Sequence, residues 1–200
     1  MGRPKNTAHR RAQIVDALGR LLVQVGYEKA TVQAIAAEAG LSSPGLVHYH
    51  FPNKQAILMA LMGHVGAEIE ARLQIPPLPS GVEGLEAALH RLLDLDEGAA
   101  ALARLWSALG AEAALPGPIQ GAYQAALSGL TAQLAALITQ ALDGAERPPQ
   151  ATPEAVAGAL IATIEGAFHL HRAAPDTLPA GQMGALTCQM ARGLLVEILP

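Results

Sequence analysis

The stretch Ser43-Pro44-Gly45-Leu46-Val47-His48-Tyr49-His50 places small residues and hydrogen-bond donors side by side. A helix built from it suits the major groove of duplex DNA. Gly45 permits close approach, and Ser43, His48, Tyr49 and His50 can bond phosphates or base edges. Lys54 adds a cation beside the N-terminal amides of the following helix, and both favour a phosphate. The competing reading is a solvated polar helix with two surface histidines. Metal chemistry fits less well, because His48/His50 and His169/His171 stand at spacing two, which on a helix points the rings about 200° apart. No Gly-rich phosphate loop or Ser-His-acid order is present, so no catalytic residue, metal or cofactor is expected and the chain does not read as an enzyme. The lone Cys188, amid Leu186, Met190 and Leu195, reads as a small core hydrophobe.

Charge separates the two ends of the chain. Residues 1–64 carry seven basic and three acidic side chains, net +4, and the remainder carries six and fourteen, net −8. A basic module joined to an acidic body implies that only the first part meets a polyanion.

The elements that must position these residues are helical. Aromatics make up 3% of the 200 residues, and β-branched residues never alternate as in a strand, which predicts an all-α fold. Ile14, Leu18, Leu21, Leu22 and Val25 form the apolar stripe of a helix over 8–25, closed by Gly26. Thr31 caps a short helix to Glu38, with Ala34 and Ile35 facing inward and Gly40 ending it. Ser43 and Pro44 open a third helix, which stops near His50 before Pro52. Asn53 caps a fourth, in which Ile57, Leu58, Leu61, Met62 and Val65 keep the helical period to about Gln74. Two short helices around a Gly40 turn, backed by a first helix, are the outline of a helix-turn-helix.

The segments Thr31-Val32-Gln33-Ala34-Ile35-Ala36-Ala37-Glu38-Ala39-Gly40-Leu41-Ser42 and Gly45-Leu46-Val47-His48-Tyr49-His50-Phe51-Pro52-Asn53-Lys54 resemble the DNA-binding signature of TetR-type transcriptional regulators. That resemblance covers about residues 10–60. It implies a recognition helix around Ser43 to His50, backbone contacts from Tyr49 and Lys54, and a homodimeric repressor on double-stranded DNA. It also brings Thr31 and Gln33 into the DNA-contacting set with Ser43, Pro44, Gly45, His48, Tyr49, His50 and Lys54. The turn carries one residue more than the family pattern, and His48 stands where tyrosine is usual. The basic arm, residues 1–8, with Gly2-Arg3-Pro4-Lys5, either adds groove or phosphate contacts or is a solvated tail.

Past Pro76-Pro77-Leu78-Pro79, long helices are predicted near 82–96, 98–113, 117–143, 152–173 and 179–199, with breakers at Gly98, Pro116-Gly117-Pro118, Arg147-Pro148-Pro149 and Pro175 to Pro179. The expected organisation is a DNA-binding domain over 1–52, a connecting helix over 53–75 and a helical effector-binding and dimerisation domain over 76–200. Gly121, Ala125 and Gly129 recur every fourth position, as do Gly158, Ala162 and Gly166. Such small-residue faces let helix axes approach closely across a dimer interface, or inside one subunit. Trp106, Tyr123, Glu165, Phe168 and His169 are the candidate contacts for an unidentified small-molecule effector, with plain core packing as the alternative for the rings. Glu165 and His169, one helical turn apart, read equally as a surface pair. No apolar run is long enough for a membrane span and no signal peptide is recognisable, which predicts a cytoplasmic chain without a membrane partner. The rival to a regulator is a helical protein-interaction dimer whose first helices only pack.

Overall fold

The structure, a computed structural model, describes residues 3–143, 151–178 and 181–196. The described residues form α-helices and one 3-10 turn, with no strand among them. By its internal contacts the chain forms two compact units. The first runs up to Gly66 and adds Ala108–Tyr123; the second comprises Ala67–Ser107 and the chain from Gln124 onward.

Helix α1 (Arg3–Val25) begins five residues before the start expected from its apolar stripe, and Gly2 lies outside the described residues. Ile14, Leu18 and Leu22 of that stripe are buried, Leu21 is half-buried, and Val25 is 44% exposed because the helix ends there. Gly26 takes φ +81°, and its N–H closes the last turn on the Leu22 carbonyl at 3.1 Å. Helix α2 (Val32–Glu38) starts from Thr31, whose hydroxyl accepts the Ala34 N–H at 3.1 Å, and buries Ile35 and Ala36. Gly40 makes the following turn at φ +65°, a left-handed conformation that a Cβ would strain. Helix α3 (Pro44–His50) has Pro44 in its first turn; Ser43 is its N-cap by backbone position, but its side chain makes no capping bond. Helix α4 (Lys54–Gln74) is capped by Asn53, whose Oδ1 accepts the Ala56 N–H at 2.8 Å. Its Ile57, Leu58, Leu61, Met62 and Val65 are buried, as the helical period required. In the first unit α1 packs on α2 and α3, and α2 on α3.

The later helices are α5 (Gly81–Leu93), α6 (Glu97–Ala113), α7 (Pro118–Ala141), α8 (Pro153–Ala173) and α9 (Met183–Val196), with a 3-10 turn at Pro175–Thr177. Helix α5 is three residues shorter at its C-terminal end than expected: Asp94 is the C-cap of α5, and Asp96 caps α6 by accepting the Ala99 N–H at 2.7 Å. Arg147-Pro148-Pro149, Pro179 and the expected helix end near 199 lie outside the described residues. In the second unit α5 packs on α9 and α8, and α8 on α9. Two glycines here stand where a side chain has no room, Gly84 against the loop before α5 and Gly184 of α9 against the C-cap of α5. A Cβ on Gly84 would stand 2.0 Å from the Pro79 carbonyl oxygen, and one on Gly184 would stand 2.4 Å from Asp94 Oδ1, the oxygen that accepts the Gly184 N–H at 3.1 Å. No described helix is long and apolar enough to cross a membrane.

Candidate nucleic-acid interface

Helix α3 is held by its inner side and leaves its outer side free. Val47 and Phe51 are almost fully buried, whereas Ser43, Pro44, Gly45, His48 and Tyr49 are exposed, Tyr49 to 74%. His50 is half-buried, and its ring meets that of Tyr49 edge-on at 5.1 Å. Thr31 and Gln33 are exposed on the first turn of the helix-turn-helix. Thr31 thus serves α2 as a cap while remaining accessible. Leu46 of α3 is also exposed, to 40%.

One cation fixes this helix at its C-terminal end, and another ties the loop after α1 to the start of α4. Arg11 of α1 donates from Nη1 to the His50 carbonyl and lies 4.0 Å over the Phe51 ring. Lys54 donates from Nζ to the Tyr27 carbonyl at 2.8 Å and lies 4.0 Å over the Tyr27 ring. Burial, followed by the nearby Glu112 carboxylate, raises the Tyr27 phenol above its ordinary pKa. Arg20 of α1 pairs with Glu38 of α2 and also donates to its carbonyl at 3.3 Å. The sequence reading singled out Lys54 but missed the anchoring by Arg11 and Tyr27, which rests on contacts far apart in the chain. Contacts from Arg3 and Lys5 of the basic arm involve side chains outside the described residues.

The chain matches the model of the bacterial regulatory proteins of the tetR family over residues 14–61 and that of the BetI-type transcriptional repressor C-terminal domain over residues 81–196. It belongs to the TetR family. Its members are DNA-binding transcriptional regulators; the tetR-family match falls on α1 to α4, and the BetI-type match spans α5 to α9. A nicotine-responsive transcriptional repressor of Paenarthrobacter nicotinovorans is 36% identical over 92 residues, 45% of each chain. The chain thus spans less than half the length of that relative. A BetI regulator of Serratia proteamaculans is 29% identical over 161 residues, 78% of each chain. Among solved structures, a transcriptional regulator from Rhodococcus sp. Rha1 superposes with TM-score 0.80 at 24% identity, covering 94% of this chain and 97% of its own. One from Saccharomonospora viridis, in complex with choline, gives 0.75 at 21%, covering 94% and 96%.

In the second unit of this TetR-family regulator, Trp106 Nε1 donates to Glu165 Oε1 at 2.6 Å, and the indole is 1% exposed. Arg104 meets His171 at 3.2 Å, and Arg172 Nε donates to Ser107 Oγ at 3.1 Å. Burial first, then Arg104, lowers the His171 pKa. Phe168 lines a recess with Ile69, Leu92 and Leu102, beside Arg72 and Arg91. Of the expected effector contacts, Trp106 and Glu165 therefore meet, Phe168 lines the recess, and His169 is exposed on α8. Tyr123 belongs to the first unit, where Gly110 makes room for it: a Cβ there would lie 2.6 Å from the Tyr123 hydroxyl. Gly121, Ala125 and Gly129 are exposed, as are Gly158, Ala162 and Gly166, and a Cβ on any of the four glycines would enter open space.

Proposed function

We propose that this regulator acts in the cytoplasm as a homodimeric repressor on a palindromic operator, with residues 1–52 reading DNA, 53–75 connecting, and 76–200 binding an effector and pairing the subunits. The observation that carries this reading is the exposed face of α3 on a basic unit, anchored by buried Val47 and Phe51. Ser43, Pro44, Gly45 and His48 face the base edges, with Thr31, Gln33, Tyr49, His50 and Lys54 set against the phosphates.

Dimerisation is supported by the exposed row Gly158, Ala162 and Gly166 on α8. It continues to Leu170, 39% exposed, and α9, which packs on α8, exposes Leu186, Met190 and Leu194 at the same four-residue spacing. Two copies would bury this apolar face together. Gly121, Ala125 and Gly129 of α7 form a second strip of the proposed interface.

A small, largely apolar effector in the second unit would favour an arrangement whose recognition helices no longer match the operator. A hundredfold loss of DNA affinity requires about 2.7 kcal/mol of differential binding. The nicotine response in one relative's name and the choline held by one solved neighbour support an effector role for this unit. Operator binding measured at several salt concentrations, with sedimentation of the free protein, tests the reading. A dimer whose affinity falls steeply with salt is expected; a salt-independent association would favour the protein-interaction alternative.

A further inference from the structure

Helix α3 has seven residues, and helices shorter than about 12 residues are marginal by themselves, so what grips its ends sets its direction. At its start the Ser43 side chain makes no capping bond. Its inner side is held by the buried Val47 and Phe51. At its end the Phe51 N–H closes the last turn on the Val47 carbonyl at 2.9 Å. The His50 carbonyl, one of those that a helix end leaves unpaired within itself, accepts from Arg11 Nη1. The same guanidinium lies 4.0 Å from the centre of the Phe51 ring. One side chain of α1 thus holds two consecutive residues at the end of α3, next to the exposed Tyr49, whose ring meets that of His50 edge-on. Helix α2 ends in a similar way, with Arg20 donating to the Glu38 carbonyl at 3.3 Å, but Arg20 is also paired with the Glu38 carboxylate. Arg11 is exposed and forms no ion pair with an acidic side chain among the described residues, so its hold on α3 is the carbonyl and the ring.

We propose that Arg11 is a positioning residue for sequence reading: it sets the angle at which α3 presents His48, Tyr49 and His50 to the duplex. A hydrogen bond from a charged donor is about twice as strong as a neutral one, and this bond acts on the backbone of α3 itself. Releasing it frees the end of the helix that carries the polar side chains, while Val47 keeps its packing on the inner side. Discrimination between sequences needs those side chains placed to a fraction of an ångström, whereas attraction to any duplex does not. This inference rests on reading α3 as the helix that meets DNA.

A duplex selected from a random pool by the parent protein, and a scrambled version of it, are the probes. Their affinities are compared in the parent and in Arg11→Met at several salt concentrations. Methionine keeps an alkyl stem at the site and removes the donor and the charge. The ratio of the two affinities should fall about tenfold, close to the effect of one mismatched base pair. The salt slope should change by less than about half a unit. An equal weakening on both duplexes, with a slope flatter by about one unit, would make Arg11 a direct phosphate contact and overturn the assignment. An unchanged ratio with a lowered unfolding temperature would overturn it as well, leaving Arg11 a group that only supports the fold. Should Arg11→Met fail to fold, Arg11→Gln is read by the same outcomes. A parent protein that selects no sequence overturns the reading of α3 and this inference together; selection by the parent with an unchanged ratio in the variant removes the role of Arg11 alone.

Discussion

Lys54 Nζ donates to the Tyr27 carbonyl oxygen at 2.8 Å and stands 4.0 Å over the ring of the same residue. One cation therefore joins the loop after α1 to the first residue of α4. Lys54→Met should destabilise the protein by about 1–2 kcal/mol through loss of the hydrogen bond and the cation–π contact. If the remaining ammonium hydrogens reach a phosphate, it should also flatten the salt dependence of DNA binding by about one unit. Tyr27→Leu separates the two roles, since it should lower stability while preserving the salt slope. Denaturant melts and salt titrations of both variants decide; an unchanged slope in Lys54→Met would exclude the phosphate contact.

Gly40 carries the turn between α2 and α3 at φ +65°, and a Cβ there would meet nothing within 4 Å. Gly40→Ala therefore probes backbone strain without a clash. Its expected cost is about 1–2 kcal/mol, read as a lowered denaturation midpoint. A neutral effect would mean that the turn relaxes to another conformation.

Gly166→Leu and Gly158→Leu project side chains into open space on a single subunit. Leucine also has the higher helix propensity, so the subunit should fold at least as well. Dimerisation should weaken, because bulky side chains hold the proposed helix faces apart. Sedimentation of the variants showing dimers as tight as the parent would place this row outside the interface.

Burial pushes the Cys188 thiol up to about 11, and the side chain is 6% exposed. Its thiolate fraction at pH 8 is about two orders of magnitude below that of a free cysteine. Alkylation by iodoacetamide should be slower than in the urea-unfolded chain by at least that factor. Comparable rates in the two states would show that α9 opens readily.

The parts legible in the sequence were those set by local rules. The Thr31 cap, the left-handed Gly26 and Gly40, and the buried stripe from Ile57 to Val65 follow from neighbours within a few residues. The exposed donors of α3 were readable for the same reason, since Val47 and Phe51 fix which side faces inward. What escaped depends on residues distant in the chain: Arg11 reaching the His50 carbonyl, Arg91 gathering carbonyls at the end of α4, and Asp94 accepting from Gly184. No spacing within a single helix encodes these. The early start of α1 at Arg3 escaped because its first turns add nothing to the apolar stripe.

The account stands on α3 reading duplex DNA as one half of a symmetric pair. Selection of bound duplexes from a random pool by the purified full chain tests this most directly. The account predicts recovery of a two-fold symmetric motif, with half-site centres one helical turn, about 34–36 Å, or a multiple of it apart. Recovery of no motif, or only of single unpaired sites, would contradict it.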